Sequence, residues 1–316
     1  MIDRGHMSPL VERYAGNPIL TAKDIPYPVA TVHNAGMVKH DGRYVMLFRS
    51  HRLNGRSVIG IAESDDGYRF VPRPEPFIVP EAEGVFAEYE AYGVEDVRIC
   101  AMEGRYYLTY SAYSKHGVRI MLAVTDDFRT LEKLSLITEA DYRNVVIFPA
   151  TFGGRYARLD RPHSEISPWS IWISYSPDLI HWGDAEVVMK PLGYHWDEMK
   201  IGPGATPIRT EKGWLHIYHG VFPTMDGSVY RLGVALHDLE NPARIIAVAD
   251  EWILTPEDPW ELVGYVHNVV FTCGAIPEDD GTVKIYWGAA DSVMCVGIAR
   301  IDELVALCLE KGRPAL

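Results

Sequence analysis

The chain has 316 residues, of which 47% are hydrophobic, so it can bury a core and is not intrinsically disordered. Its net charge of −13 argues against nucleic acid and anionic membranes as partners, because both require a basic surface. The sequence has no secretory signal, no run of about 18 apolar residues, and no CxxC or metal-ligand spacing among its four cysteines. We therefore expect a cytoplasmic protein with free thiols. We set residues 1–7 aside as candidate tag-derived or disordered sequence.

Five stretches of the chain share one pattern. In each, a Gly turn opens an aromatic-rich strand, a polar loop follows, and a second strand ends in a turn such as SDDG, TDDF or SPDL. The stretches are about 50 to 70 residues apart and begin at Asp41, Glu103, Gly153, Lys212 and Asp280. Repetition at this period without intervening helices predicts an all-β, five-bladed β-propeller as a single domain, residues 8–316. A β-sandwich is the alternative, but it does not require a two-strand unit to repeat five times.

Helical periodicity occurs only near the C-terminus, roughly from Asp302 to Leu309, and predicts a short terminal helix. In a propeller, the innermost strands converge on one axis, so polar residues from distant segments meet at one end of the channel. The candidate site residues are therefore the polar residues that interrupt apolar strands in each repeat. They are His33, Asn34 and Arg49, then Glu95, Asp96 and Arg98, then Arg143, Arg158, Arg161 and His163, then Lys200 and His219, and finally Asp291.

The segment GVEDVRI, residues 93–99, places two carboxylates in an apolar strand. Strand alternation predicts that Asp96 and Arg98 share one face, and that Glu95 lies on the opposite face with the apolar residues. Asp96 is therefore a candidate acid, although a structural Asp–Arg pair is an alternative. A nearby Arg98 would lower the pKa of Asp96 and oppose the role of an acid unless burial outweighs it.

Four basic residues lie beside apolar strands of this acidic protein. Each of them alone would be a surface or salt-bridge residue, but together, on different blades, they could bind an anion: Arg143, Arg161, Lys200 and His219. Phosphate is the simplest candidate, and the absence of a P-loop or GxGxxG motif argues against a nucleotide. Glycoside hydrolysis usually requires a second carboxylate to activate water, whereas phosphate is already an anion. One acid and a cationic site therefore favour phosphorolysis.

Eight segments in order resemble glycoside hydrolase family 130, the β-mannoside phosphorylases. They are VHNAG, the strand ending at Arg49, GVEDVRI, RNVVIFP, RLDRP, MKIGPGATPI, IYHGV and WGAAD, and they extend from about Asn17 to Asp302. The resemblance implies a five-bladed propeller and reversible, inverting phosphorolysis of a terminal β-mannosyl unit to α-mannose 1-phosphate. Inorganic phosphate would be the co-substrate, and neither a metal nor another cofactor is expected.

The resemblance also implies roles for individual residues. Asp96 would be the proton donor, acting through a hydroxyl of the bound mannose. The phosphate ligands would be Arg143, Arg161, Lys200 and His219, and the mannosyl ring would contact Asn34, Arg49 and Asp291. The chain departs from the family pattern at Val97, where Pro is usual, and at Asp160, where His is common. A carboxylate at 160 would weaken phosphate binding unless it faces outward, and Arg158, which alternation places on the same face, could neutralise it.

Two other functions remain open at this level. A propeller hydrolase acting on β-mannosides is one alternative, but hydrolases of the arabinanase or fructosidase kind place an acidic base in the first blade, where this chain has Asn34. A non-catalytic sugar-binding propeller would use aromatic residues such as Trp196, Trp214 and Trp287 for stacking, but it would not need the basic set. We favour β-1,4-mannooligosaccharides or mannosyl-N-acetylglucosamine as substrates, with β-1,2 linkages as an alternative. The loops 163–169 and 223–229 would choose the acceptor sugar, and a homo-oligomer is left open.

Overall fold

The chain folds into consecutive antiparallel β-meanders. The computed structural model describes residues 10–316, and the segment 1–7, the candidate tag-derived or disordered N-terminus, lies outside that range. The described part contains 22 strands, two α-helices and one short 3₁₀ helix, Ala22–Asp24. None of the described helices is long and apolar enough to cross a membrane. The prediction of a mostly β protein is therefore confirmed.

Meanders 1 and 2 each have four strands in sequence order. Strand β1 (Glu12–Arg13) precedes them and pairs elsewhere. Meander 1 comprises β2 (His33–His40), β3 (Arg43–His51), β4 (Ser57–Ser64) and β5 (Val71–Pro72). Meander 2 comprises β6 (Gly93–Met102), β7 (Arg105–Ser114), β8 (Gly117–Thr125) and β9 (Glu132–Leu136). A single parallel pair, Ser57 with Gly93, joins the two meanders.

Meanders 3 and 4 continue the same topology. Meander 3 comprises β10 (Tyr142–Phe152), β11 (Arg155–Pro162), β12 (Ile171–Ser176) and β13 (Gly183–Met189). The first strand of meander 4 is split into β14 (Lys200–Pro203) and β15 (Ile208–Arg209). The meander continues with β16 (Trp214–Thr224), β17 (Gly227–His237) and β18 (Ile245–Ala249).

Meander 5 uses both ends of the described chain. After α1 (Pro259–Leu262) come β19 (Val270–Pro277), β20 (Thr282–Ala289) and β21 (Val293–Arg300), and β1 adds as the fourth strand beside β21. Helix α2 (Ile301–Glu310) follows, one residue longer at each end than predicted, and β22 (Gly312–Arg313) pairs with β18 of meander 4. The five sequence repeats thus correspond to the second and third strands of each meander.

The core consists of five main apolar clusters, each between two meanders. Along β3, Val45 and Leu47 pack against meander 2, whereas Met46 and Phe48 pack against meander 5. This is the period-2 alternation of a strand that is buried on both faces. Further clusters lie between meanders 2 and 3, 3 and 4, and 4 and 5. Every meander is therefore packed between two others, and the last packs against the first.

Candidate active site

All eight predicted site residues line one cavity of about 330 Å³. It lies where the first strands of the meanders begin, and it receives side chains from all five. The residues that line it are Asn34, Arg49, Asp96, Arg143, Asn144, Arg161, Trp169, Lys200, His219, Tyr230, Val266, Val269, Phe271 and Asp291. We call this space the inner cavity. The structure thus brings together residues that are up to about 260 positions apart in the sequence.

The first strands of meanders 1 to 3 carry matching irregularities at the cavity. Asn34, Asp96 and Asn144 all have left-handed backbones, with φ values of 49°, 52° and 60°. Each residue lies within a shift of the strand register, where the pairing skips between 33 and 36, 95 and 98, or 143 and 146. Asn and Asp adopt this conformation more readily than most residues, and such bulges change the direction of a side chain. The bulges explain why these polar side chains reach the cavity from buried strands.

Asp96 is buried and held by two donors to the same carboxylate oxygen. Nδ2 of Asn34 donates to Oδ1 at 2.9 Å, and Nη1 of Arg49 donates to Oδ1 at 3.1 Å. Burial raises the pKa of Asp96, but the charges of Arg49 and Arg98 and the Asn34 hydrogen bond outweigh it. The pKa therefore lies below its ordinary value, and the group is a carboxylate at neutral pH. Asp96 could be an acid in the free protein only if burial outweighed the effect of the cations on its pKa. Burial does not outweigh it.

Glu95 is not on the apolar face, so the alternation argument was wrong at this position. Its Oε1 accepts from Nη2 of Arg49 at 2.8 Å, and its Oε2 accepts from Nη1 of Arg143 at 3.3 Å. The register shift between 95 and 98 adds a residue to the strand, so Glu95 and Asp96 both reach Arg49. Val97 and Ile99 do pack in the apolar core, as expected.

Arg98 fixes the bulge rather than pairing with the carboxylate of Asp96. It donates from Nη1 to the main-chain oxygen of Asp96 at 2.8 Å and from Nε to that of Gly204 at 2.9 Å. Its Nη2 also donates to Oδ1 of Asn144 at 3.3 Å. These bonds tie together meanders 2, 3 and 4. The Asp–Arg pair that the sequence suggested as an alternative is therefore formed with Arg49 instead.

The basic residues cluster at one side of the inner cavity and have few anionic partners. No carboxylate in residues 10–316 forms a salt bridge with Arg161 or Lys200. Nη1 of Arg161 lies 3.2 Å from Nε2 of His219, and both Arg161 and Lys200 lie over the ring of Trp169, at 5.2 and 4.9 Å from its centre. Only Arg143 has a carboxylate partner, Glu95.

Burial, together with the neighbouring cations, lowers the pKa values of Lys200, Arg161 and His219. Burial, with Arg161 and Arg143 nearby, lowers the pKa of Lys200 to about 8. Burial also lowers the pKa of Arg161 to about 10, and Arg143 and Arg98 act in the same direction. Burial and Arg161 hold the pKa of His219 well below its ordinary value, so the ring is neutral and its Nε2 can accept from Arg161. These groups form a site that favours an anion.

Asp291 also lines the inner cavity, from the turn between β20 and β21. Its backbone is left-handed, with φ of 48°. Burial raises the pKa of Asp291 to about 6, against the opposing effect of Arg49, and the neighbouring carboxylates Asp96 and Glu95 act in the same direction as burial. With Asn34 and Arg49 it provides acceptors and donors suited to sugar hydroxyls.

Asp160 does not face the inner cavity. Nε of Arg158 donates to its Oδ2 at 3.0 Å, and the hydroxyl of Ser174 donates to the same oxygen at 3.4 Å. Both Arg158 and Asp160 are buried on the face of β11 opposite Arg161. Arg158 also donates to the main-chain oxygen of Ile137 at 2.7 Å. The expectation that Arg158 neutralises Asp160 is confirmed.

The inner-cavity residues missed in the sequence include one amide, Asn144, and two aromatic residues that contact the cations, Tyr230 and Trp169. Asn144 could have been found, because RNVV repeats the pattern of HNAG and EDVR at the start of each first strand. Lys200 lies over the ring of Tyr230, which stacks against the His219 ring. The ring of Trp169 contacts Arg161 and Lys200. Nothing in their local sequence distinguishes these two aromatic residues from core residues. Within the described range, no group of three or more His, Cys, Asp or Glu side chains is arranged to hold a metal ion.

The proteins that this chain resembles are β-mannoside phosphorylases. The family model Glyco_hydro_130, described as β-1,4-mannooligosaccharide phosphorylase, matches residues 2–310. The chain is 33% identical to the 1,2-β-oligomannan phosphorylase of Thermoanaerobacter sp. over 93% of this chain and 98% of that protein. It is 31% identical to the β-1,4-mannooligosaccharide phosphorylase of Ruminococcus albus, over 94% and 90% of the two chains. The solved β-1,2-mannobiose complex of the Listeria innocua β-1,2-mannobiose phosphorylase is 30% identical, with a TM-score of 0.88 over 95% and 99%.

Proposed function

Since the chain belongs to glycoside hydrolase family 130 and acts as a β-mannoside phosphorylase, we propose that it carries out inverting phosphorolysis of a terminal β-mannosyl unit. The products would be α-mannose 1-phosphate and a sugar shortened by one residue. Phosphate would attack the anomeric carbon while the bond to the leaving oxygen breaks, and that oxygen would receive a proton. No cofactor is required for this step.

The observation that carries the proposal is the pair of cations Arg161 and Lys200, which both lie over the ring of Trp169. Arg161 is buried, Lys200 is half-buried, and neither forms a salt bridge with a carboxylate in the described chain. Burying a cation without a partner costs desolvation free energy. A dianion bound between Arg161 and Lys200 would offset that cost. Arg143 and His219 complete the set that we assign to phosphate. Water as the nucleophile would gain nothing from such a cluster.

Asp96 is the proposed proton donor, but it is a carboxylate in the free protein and must first be protonated. It must carry a proton at the moment of bond cleavage, although Arg49 and Asn34 favour its carboxylate. A bound sugar would exclude water, and a bound phosphate would add negative charge; both effects raise a carboxyl pKa. The proton would then pass to the leaving oxygen through a hydroxyl of the mannose. Asn34, Arg49 and Asp291 would hold the mannosyl ring.

We also propose that the five meanders are the blades of a single five-bladed propeller, residues 8–316. The five apolar clusters support this, because they join each meander to the next and the last to the first. The pairing of β1 with β21 supports it too, since a strand from the beginning of the chain completes the last blade. The inner cavity would then lie at one end of the propeller axis.

A reducing compartment suits the cysteines. The four of them are free and buried in the described chain: Cys100, Cys273, Cys295 and Cys308. We therefore keep the cytoplasm as the proposed location.

The experiment should test β-1,2- and β-1,4-linked mannosides equally. Identity to the β-1,2 oligomannan enzyme is 33% and to the β-1,4 enzyme 31%, a difference too small to support the expected preference for β-1,4 substrates. The experiment incubates the protein with β-1,2- or β-1,4-mannobiose, with and without phosphate. We expect mannose 1-phosphate from at least one of them and only when phosphate is present. Free mannose formed equally fast without phosphate would show a hydrolase, and sugar binding without turnover would show a lectin.

A further inference from the structure

Arg49, one of the residues proposed to hold the mannosyl ring, also binds the proposed acid, and most of its donors are engaged by the protein. Its Nε donates to Oγ of Ser57 at 3.0 Å, and its Nη1 donates to Oδ1 of Asp96 at 3.1 Å. Its Nη2 donates to Oε1 of Glu95 at 2.8 Å and lies 2.9 Å from Nε2 of His51. A guanidinium has five N–H groups, so one N–H of Nη1 has no acceptor among the described residues and remains for a ligand. Its direction depends on the partners that hold the rest of the guanidinium.

His51 reaches Arg49 because both residues lie on one face of the same strand. They are two positions apart at the end of β3, and alternation puts such residues on the same side. The main-chain nitrogen of His51 donates to Oγ1 of Thr31 at 3.2 Å, and its oxygen accepts from the nitrogen of Ala30 at 2.8 Å. The place of the imidazole beside the guanidinium is therefore set by the strand and its neighbouring segment.

Two other rings enclose the imidazole of His51. The His33 ring meets it edge to face with centroids 5.1 Å apart, and the Tyr265 ring packs against it at 5.0 Å. Tyr265 is 62% exposed and His51 only 8%, so the tyrosine shields the histidine from solvent. The nitrogen of Tyr265 also donates to Oγ of Ser292 at 2.8 Å, next to Asp291. One exposed tyrosine thus contacts both His51 and the turn that carries Asp291.

The contact with Arg49 determines where His51 carries its proton. A guanidinium only donates, so Nε2 of His51 is the acceptor and the neutral ring has its proton on Nδ1. Burial lowers the pKa of His51 to about 4, and the charge of Arg49 acts in the same direction, against Asp96. The ring is therefore neutral at neutral pH and able to accept. Its Nδ1 is buried and has no hydrogen-bond partner among the described residues.

This unpaired Nδ1–H argues against a role in packing alone. A buried donor without an acceptor destabilises the folded protein, and an apolar ring would fill the same space without one. What the imidazole supplies, and an apolar ring cannot, is an acceptor for Nη2 of Arg49. Without it, one N–H of Nη2 would be unpaired, and the guanidinium could rotate away from Glu95 and Asp96 to pair it.

We propose that His51 is a positioning residue, which fixes the guanidinium of Arg49 so that Arg49 holds Asp96 and still presents one N–H to the sugar. This inference rests on the proposed phosphorolysis. His51 does not line the inner cavity, so it acts on the substrate only through Arg49. The requirement is a hydrogen-bond acceptor at the place of Nε2, which is different from a requirement for the ring.

The test moves the acceptor. In His51→Gln the side-chain oxygen reaches about as far as Nε2, whereas in His51→Asn it reaches only about as far as Nδ1. At saturating phosphate, kcat/KM for the mannoside that the wild-type protein cleaves should fall roughly 5- to 100-fold in His51→Asn, as expected for an unpaired buried donor. His51→Gln should keep most of the wild-type value. Thermal unfolding measures how far each variant is destabilised.

His40→Asn is the matched control. His40 lies at the far end of β2, where its Nδ1 is 3.0 Å from the hydroxyl of Tyr106, so its replacement should lower stability and leave kcat/KM for the mannoside unchanged. Equal losses in His51→Gln and His51→Asn, or no loss in either, would overturn the inference. A loss in His40→Asn as large as that in His51→Asn would overturn it as well.

A second measurement uses the wild-type protein. Nitrogen NMR of isotope-labelled histidine should show a neutral His51 ring with its proton on Nδ1 at pH 7, the signal being identified by its absence from a His51 variant that folds. A charged ring, or a proton on Nε2, would overturn the inference. If the wild-type protein releases no mannose 1-phosphate from any mannoside, the proposed function fails instead. Calorimetry then decides the inference separately: mannoside affinity should fall in His51→Asn and not in His51→Gln, and equal affinities would overturn it.

Discussion

Asn34 and Asp96 occupy matching bulges in the first strands of adjacent meanders, and Nδ2 of Asn34 donates to Oδ1 of Asp96 at 2.9 Å. The hydrogen bond orients the carboxylate toward the inner cavity and favours its charged form. It also places an amide where a propeller hydrolase would carry a second carboxylate. Two donors thus hold one carboxylate oxygen, and the described residues donate no hydrogen bond to the other.

Replacing Asp96 should remove most of the activity. Asp96→Asn keeps the shape of the side chain but cannot supply a proton, so turnover of an unactivated mannoside should fall about 10²- to 10⁴-fold. The measurement is the rate of mannose 1-phosphate release at saturating substrate. Glu95→Gln is the comparison, since Glu95 also binds Arg49 but is assigned no proton transfer, and its loss of turnover should be smaller. Near-normal turnover of Asp96→Asn would refute the assignment.

Replacing Arg161 should act mainly on phosphate. Arg161→Met removes a buried donor without a carboxylate partner, and bonds to charged groups contribute about 1.5–3 kcal/mol. The phosphate KM should therefore rise roughly 10- to 100-fold, while the KM for the mannoside changes little. Arg155→Met is the control, because Arg155 is an exposed residue that pairs with Asp184 at the far end of β11. If the phosphate KM of Arg161→Met equals that of the control, Arg161 is not a phosphate ligand.

Lys200 should give phosphate binding an alkaline limit. Its pKa is lowered to about 8, so the free protein loses this positive charge as the pH rises through 8. The bound dianion favours the charged form, and the phosphate KM should therefore increase about tenfold per pH unit above this value. Lys200→Arg keeps its charge at these pH values and should remove the increase. A phosphate KM of the wild type that stays constant from pH 7 to pH 10 would contradict the prediction.

The ion pair of Arg158 and Asp160 should contribute to the free energy of unfolding and have no effect on phosphate binding. Removing one partner leaves a buried charge unpaired, so Arg158→Met or Asp160→Leu should each destabilise the fold by about 3–5 kcal/mol. The double variant should be more stable than either single variant, because both charges leave together. Denaturant unfolding measures the stabilities, and the phosphate KM of the double variant should match the wild type. A weakened phosphate affinity in that variant would mean that the pair supports the anion site.

The bulges show where strand alternation stops being a guide. Alternation places Val97 and Ile99 correctly in the apolar core, but it places Glu95 on the wrong face. One extra residue in a strand reverses the direction of the side chains before it. The left-handed residue that marks such a bulge is an Asn or Asp in the first strands of meanders 1, 2 and 3. A repeated Asn or Asp at the start of apolar strands is therefore a usable signal, and it would have added Asn144 to the predicted site.

The amino-acid sequence by itself determined the β character, the five repeats, the C-terminal helix and the identity of the polar residues that interrupt apolar strands. These follow from local period and composition, which each segment carries independently of the others. Only the tertiary structure decided that Arg49 rather than Arg98 pairs with the carboxylate of Asp96. It also decided that Arg161 and Lys200 both lie over the ring of Trp169 and have no carboxylate partner among the described residues. Such relationships join strands from different meanders, and their distances depend on how whole sheets pack against each other. For the same reason, the inner cavity, which receives side chains from all five meanders, could be located only in the folded structure.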